Sequence, residues 1–375
     1  MVVSDVVIQI LLKLPPESLL RFKSVCKSWY ALINDPKFVT KHLSNSLPYK
    51  HVLLKRIVAT NSEKYEYALS ILKFSLDRSV SLLDVHLPLY EDHPALAICG
   101  QSHSLVCLSD LCDIFLCNPM TRQFRKLPPS ILIVRGHDPD DYDAEGNAVG
   151  FGYDAKSRNF KVVRVVNPWV GVVSHPSRVE IYDLSKDRWR EIETPVYGNI
   201  SITPSFEMYH EGTFYWWEKI QSFTQNTEHI LTFDMSEEVF GKISVPESFD
   251  RQGNFRSLMV FNGSIVLFSY PYAGEIFDIW EMEKDEFAVV SWSKLLTIGP
   301  LCGIEFPLLF VNSDELLMES KEGQVVLYSI KAQQVKELPI KGENPHGWRT
   351  NRFEATFFIK SLLPVEGRNN ISYEF

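Results

Sequence analysis

Nowhere in this 375-residue chain do 18 apolar residues follow one another, so no membrane-spanning helix is expected. Residues 6–12 are apolar but broken by Gln9 and flanked by Asp5 and Lys13, with no basic segment before them, which makes a poor secretory signal. Cysteine is scarce, and Cys26, Cys99, Cys107, Cys112, Cys117 and Cys302 form no CxxC pair. Cys112 and Cys117 stand five apart with no second pair and no histidine at zinc-ligand spacing. Free thiols in a reducing, cytoplasmic or nuclear compartment are the expectation, with no metal and no cofactor. Three glycosylation sequons, at Asn199, Asn262 and Asn370, carry little weight without secretion.

Reactive constellations are missing as well. Gly100-Gln101-Ser102-His103-Ser104 approaches GxSxG but ends in serine, with no α/β-hydrolase pattern around it. His210-Glu211 lacks the second histidine of HExxH, and Gly150-Phe151-Gly152 is followed by no Gly-Lys-Ser/Thr. The acidic run Asp138, Asp140, Asp141, Asp143 and Glu145, read as a calcium loop from Asp141, places Gly146 correctly but puts Gly152 where the twelfth-position glutamate belongs. A solvated acidic loop is the better reading. No active site is legible, so a non-catalytic protein is expected.

Charge is present but unevenly spread. Residues 1–50 hold seven Lys/Arg against three Asp/Glu, a net of +4, whereas the rest holds 31 basic and 44 acidic residues, a net of −13. An acidic body repels nucleic acid and attracts basic partners. Apolar content of 45% and aromatic content of 13% support a sizeable core.

The first 45 residues read as helical. Ser4 or Asp5 caps a helix over 6–13, and Pro15-Pro16 breaks the chain. Leu19, Phe22, Cys26, Trp29 and Ile33 then recur every three or four residues as one helical stripe, with Leu20, Val25 and Leu32 beside it. So wide an apolar surface calls for a partner.

Beyond residue 50 the pattern turns to short β-runs. One unit recurs as 114–128, 179–195, 230–246, 276–295 and 325–339; counted at Asn118, Asp183, Asp234, Glu281 and Ser329 the spacings are 65, 51, 47 and 48. Each unit reads as a hairpin: Val179, Ile181 and Leu184 bury one face, Asp183, Ser185 and Asp187 turn the chain, and Trp189 packs back across the pair. A hairpin of this kind must stack on its neighbours, and a period near 50 is that of kelch-type propeller blades. Runs 104–110, 159–166, 212–217, 263–270 and 314–319 supply inner strands. The first blade uses residues 51–100, and 355–362 close the ring and remove its exposed edges. The fold class is therefore α then β: a small helical domain at 1–45, a β-propeller at 51–364 and a tail at 365–375. Loops at 131–149, 167–178, 196–207, 218–229 and 271–275 offer a binding face, with Trp169 as an apolar anchor.

Leu14-Pro15, the run from Leu19 to Phe22, and Cys26-Lys27-Ser28-Trp29 with Leu32-Ile33 resemble an F-box. One departure is the opening Met1-Val2-Val3-Ser4-Asp5, where F-boxes open Leu-Pro-Glu-Asp; it implies weaker docking or a start upstream. Residues 117–128, 150–166, 209–217 and 233–240 resemble the F-box-associated domain of plant F-box proteins, and 291–319 resemble the S-locus group. A second departure is Ser102-His103-Ser104-Leu105, where the family carries a glycine turn. The resemblance implies a substrate receptor of an SCF ubiquitin ligase that works by proximity. Its partners are a Skp-type adaptor and, through it, cullin and a RING protein. Leu14, Pro15, Leu19, Leu20, Phe22, Val25, Trp29, Leu32 and Ile33 hold the adaptor or the F-box core. The S-locus likeness implies a non-self S-RNase as substrate, in the pollen tube, with Asp138, Asp140, Asp141, Asp143 and Trp169 as its contacts. Two alternatives stand beside it: a receptor for a defence or hormone regulator, and a propeller binding protein without an adaptor.

Overall fold

The protein, in a computed structural model, is described at residues 5–46, 50–60, 64–74, 80–87, 89–110, 112–132, 147–166, 169–170, 173–174, 177–196, 199–201, 208–221, 226–246, 254–271, 276–284, 290–345 and 352–365. Four helices come first: α1 (Asp5–Leu11), α2 (Pro16–Phe22), α3 (Lys27–Ile33) and α4 (Pro36–Ser46). The stripe from Leu19 to Ile33, expected on one helix, is split between two. A break at residues 23–26 ends α2, and Cys26 in extended conformation starts α3. Pro16 occupies the first turn of α2, where its missing N–H costs nothing. Asp35 caps α4, its Oδ1 accepting from the N–H groups of Lys37 at 2.9 Å and Phe38 at 3.2 Å.

The remaining chain forms six antiparallel blades. Blade 1 orders its strands, from the axis outward, as Phe353–Ile359, Lys50–Ala59, Tyr65–Phe74 and Val80–Leu87, so the last strand closes the ring as expected. Blade 2 comprises Ala97–Ser102, Leu105–Ser109, Ile114–Asn118 and Gln123–Lys126. Blade 3 comprises Asn147–Asp154, Asn159–Val166, Ser177–Asp183 and Arg188–Val196. Blade 4 splits its inner position between Asn199–Ser201 and Met208–His210, followed by Thr213–Gln221, Asn226–Asp234 and Val239–Ser244. Blade 5 holds Asn254–Phe261, Ser264–Pro271, Phe277–Lys284 and Val290–Ile298; blade 6 holds Ile304–Phe310, Glu315–Ser320, Gln324–Ser329 and Gln334–Lys341.

The runs expected as inner strands prove to be the second strand of each blade. The innermost strands, such as Ala97–Ser102 and Asn254–Phe261, line the axis and carry no simple alternation, because both of their faces meet neighbouring blades.

The recurring unit has a physical core. Asn118, Asp183, Asp234 and Ser329 each end a third strand, and each side chain accepts a backbone N–H two or three residues on, from Met120, Lys186, Ser236 and Ala332 respectively. Each of these turns closes on a residue with positive φ: Arg122, Asp187, Glu238 and Gln333. Glu281, counted with them, lies mid-strand opposite Ser293 and makes no turn. Trp189 packs as expected, 5.2 Å from Tyr182, with its indole N–H donating to the Pro128 carbonyl at 2.8 Å.

The strand directions give the ring two unlike faces. Strands 3–4 of every blade, and strands 1–2 of blades 2 to 6, are joined on one face, mostly by tight turns, with residues 74–80 and 284–290 as the wider joins. The opposite face carries the links between strands 2 and 3 and between blades. Lys50 starts its strand on the turn face and pairs with Ile359, so the helices enter and the chain leaves on that side.

Candidate functional site

The helices bury a small core of their own. Leu11, Leu12, Leu19, Ile33, Phe38, Val39 and Leu43 are buried, in one continuous cluster with Leu362, Leu363 and the interior of blades 2 and 3. His42 bridges α4 to the α1–α2 link, its Nε2 lying 2.8 Å from the Leu14 carbonyl oxygen. Of the residues expected to hold the adaptor or the core beneath it, Leu19 and Ile33 face inward and belong to the core. Leu14, Leu20, Phe22, Trp29 and Leu32 are half-buried around that core, and Phe22 lies against Trp29 with ring centroids 5.4 Å apart. Pro15 and Val25 stand exposed.

Three further residues join Val25 on the surface. Val6, Ile10 and Tyr30 are 69%, 55% and 58% exposed, and Val25 59%, although hydrophobic. Val6 and Ile10 share one face of α1, four residues apart, while Leu11 and Leu12 fill the core. That i, i+4 pair was legible in the sequence but lay ahead of the stripe that carries the motif. Together the helices present apolar side chains to solvent on top of a satisfied core, as a docking surface does.

The second face is the one opposite the helices. All five expected loops leave and re-enter strands at that face, although their ends are shorter than read. Residues 199–201 pair with 217–219, and the strands flanking 222–225 run to Gln221 and from Asn226. The backbone of Trp169–Val170 pairs antiparallel with Val173–Ser174 there; the Trp169 side chain and the carboxylates Asp138, Asp140, Asp141 and Asp143 lie outside the described residues.

Beneath this face, buried charged side chains tie blade to blade. Glu354 accepts from Lys55 Nζ and from the Ile98 N–H, both at 2.6 Å. Arg256 meets Glu228 at 2.9 Å with its guanidinium 4.9 Å from the Trp217 ring, and Arg352 bridges Glu319 at 2.8 Å and Glu305 at 3.3 Å. Burial pushes the Glu319 carboxyl up to about 7, opposed by Arg352 and reinforced by the charge of Glu305. The ring axis encloses a cavity of about 490 Å³ lined by Gln101, His210, Asn262, Leu309, Asn312 and Thr356 among others.

The motifs weighed for chemistry find structural uses. Cβ atoms at Gly150 and Gly152 would lie 2.6 Å from Trp216 and 2.3 Å from Tyr209, so these glycines admit the aromatic side chains of blade 4. Ser102 Oγ lies 2.8 Å from His103 Nδ1, but Ser102 is buried and the His103 ring meets Tyr153 and Phe160 edge to face. The turn there keeps positive φ at His103 (59°) and Ser104 (145°) without glycine.

The fold also gathers His93, Asp110 and Asp113 within 4.8 Å, a cluster their spacing in the chain hides. Its groups already answer one another. His93 Nδ1 bonds Asp110, whose other oxygen accepts the N–H groups of Cys112 and Asp113, and Lys126 Nζ donates to Asp113 at 2.7 Å. Among the described residues no helix is long and apolar enough to cross a membrane.

Comparison with known proteins agrees with the two domains. Residues 3–41 match the F-box domain family, and residues 59–362 match the F-box associated beta propeller domain family. F-box protein CPR1 of Arabidopsis thaliana is 28% identical over 98% of this chain and 91% of its own length. F-box/kelch-repeat protein At3g23880, also of Arabidopsis thaliana, is 28% identical over 86% of this chain and 85% of its own. An oligogalacturonate lyase structure from Vibrio parahaemolyticus superposes with a TM-score of 0.40 at 9% identity, over 80% of this chain and 89% of that one, which is too loose to bear on function.

Proposed function

This chain belongs to the F-box proteins that carry an F-box associated beta propeller domain, and we propose that it is the substrate receptor of an SCF-type ubiquitin ligase. The observation that carries the reading is the exposed set Val6, Ile10, Val25 and Tyr30 on helices whose core is complete without them. A Skp-type adaptor covers that set; cullin and a RING protein follow through the adaptor. The ring then offers its loop face, on the far side, to a protein substrate. The receptor itself transfers no group, and its contribution is to hold a substrate lysine near the charged thioester. Co-expression with a Skp-type adaptor tests this: the full chain forms a stable complex, and Val6→Asp with Ile10→Asp abolishes it while the unfolding transition stays in place. A complex that survives the double substitution moves the docking surface elsewhere. No complex with the unchanged chain favours the adaptor-free binding protein.

A narrower reading takes a non-self S-RNase as the substrate, in pollen. Its support is the likeness at residues 291–319 and the acidic body, which steers a basic ribonuclease. Those residues supply most of the outer strand of blade 5 and the inner two strands of blade 6, with Ile304, Phe306, Phe310, Leu316, Leu317 and Met318 buried. The likeness thus lies largely in scaffold, which a receptor for a defence or hormone regulator would share. Replacing Asp138, Asp140, Asp141, Asp143 and Glu145 by amides separates them: retained S-RNase binding removes the acidic loop from recognition.

A further inference from the structure

The last strand ends at Ile359, yet the chain continues across the turn face of blade 2 in an ordered line of contacts. Lys360 Nζ reaches back to α2 and bonds Glu17 Oε1 at 2.6 Å. Both side chains are largely shielded, 16% and 30% exposed. The Ser361 hydroxyl bonds that of Ser104 in the inner turn of blade 2. Asn118, at the outer turn, donates from Nδ2 to the carbonyls of Ser361 at 3.2 Å and Leu363 at 2.7 Å, and the Val365 N–H donates to Gln123 Oε1 at 3.2 Å. Leu362, Leu363 and Val365 are buried, in one cluster with Leu11, Leu12, Leu19 and Phe38 of the helices. The segment therefore touches blade 2 through its polar groups, while its apolar side chains share a core with the F-box.

We propose that residues 360–365 are a strap that fixes the F-box at one orientation over the ring, with Glu17 and Lys360 as its lock. Ring closure needs only the strand to Ile359, so six further ordered residues require another purpose. The chain joins the helices to the ring at one point, between Ser46 and Lys50, and the apolar core they share with blades 2 and 3 is non-directional, so neither by itself fixes a rotation. The strap supplies the second and third points, on α2 and on the helix core. The adaptor end and the loop face are thereby held at one separation. Glu17 is suited to the lock: burial works to raise its carboxyl, but Lys360 and the nearby His51 hold it below the ordinary range, so it stays ionised at neutral pH. This inference concerns the chain alone and stands whether or not a ligase forms on it.

The test is a pulsed electron-electron distance measurement between spin labels at Lys27→Cys on α3 and Glu322→Cys on the loop face of blade 6, with Cys26, Cys112 and Cys302 changed to serine. The full chain is expected to give one narrow distance distribution. Glu17→Lys and Lys360→Glu, each alone, broaden it, and the two together restore it. A chain ending at Ile359 gives the broadest distribution while the ring still unfolds cooperatively. If truncation prevents folding, the charge reversals carry the test. Single reversals as narrow as the native chain, or a double reversal as broad as the singles, overturn the strap.

Discussion

Glycine decides two positions in opposite directions. Ser104 holds φ at 145° in a turn where the family carries glycine, a strain of about 1–3 kcal/mol. The bond to Ser361 returns only about 1 kcal/mol. Ser104→Gly is therefore expected to raise stability by about 1 kcal/mol in denaturant unfolding. Gly150→Ala is expected to lower it by about 1–3 kcal/mol, because the added carbon meets Trp216 and Phe214 in a filled core. Glu319 sets a pH dependence with a definite sign. Its folded carboxyl titrates near 7, above the ordinary 4.5, so the folded state holds that proton more tightly than the unfolded one. Its stabilising contribution is complete below about pH 4.5 and is lost as pH rises through 7. Melting temperatures of Glu319→Gln and the native chain should diverge between those values in favour of the variant, then run parallel. Equal slopes throughout would remove Glu319 as the source. The Ser104 turn was legible in sequence as a departure from glycine, but the burial of Glu319 was not. Glu319 follows the apolar run Leu316–Met318 in a strand buried as far as Ser320, and only the ring places Arg352 and Glu305 beside it.

Elements were easier to read than their boundaries. The turn residues at Asn118, Asp183, Asp234 and Ser329 announced their hairpins, because a side chain that bonds its own turn is a local property. The innermost strands escaped because they are packed on both faces and show no period of two. The break between α2 and α3 escaped because an apolar spacing of three and four continues across it, with no proline to mark it. That break matters for mutagenesis. Leu19→Ala and Ile33→Ala remove fully buried side chains and are expected to cost about 2–5 kcal/mol of stability. Val6→Asp and Ile10→Asp change exposed positions and should leave thermal unfolding within about 0.5 kcal/mol of native. Trp29 is only half-buried beside Phe22, so Trp29→Ala should fall between the two sets. A destabilised Val6→Asp would mean that α1 packs through the opposite side.

At the scale of the molecule, the helices and the loop face occupy opposite sides of a closed ring, an arrangement that follows from strand count and chain direction. Four strands per blade return each chain segment to the loop face, and the C-terminal strand in blade 1 brings both ends of the ring to the turn face. The sequence carried the period and the closing strand. It did not carry the blade count, since the spacing of 65 between Asn118 and Asp183 hides an inserted link and the first blade is built from both ends of the domain. Removing residues 353–375 should open blade 1 and abolish cooperative unfolding, whereas a cut after Ile359 should not. On the proposed function, one end of the molecule docks an adaptor while the other remains free for a substrate. The most direct test is affinity capture of the tagged full chain beside the Val6→Asp, Ile10→Asp variant, with partners identified by mass spectrometry. A Skp-type adaptor and cullin are expected with the native chain, neither with the variant, and the same further proteins, bound at the loop face, with both. Recovery of adaptor and cullin by the variant, or loss of every partner together, would contradict that function.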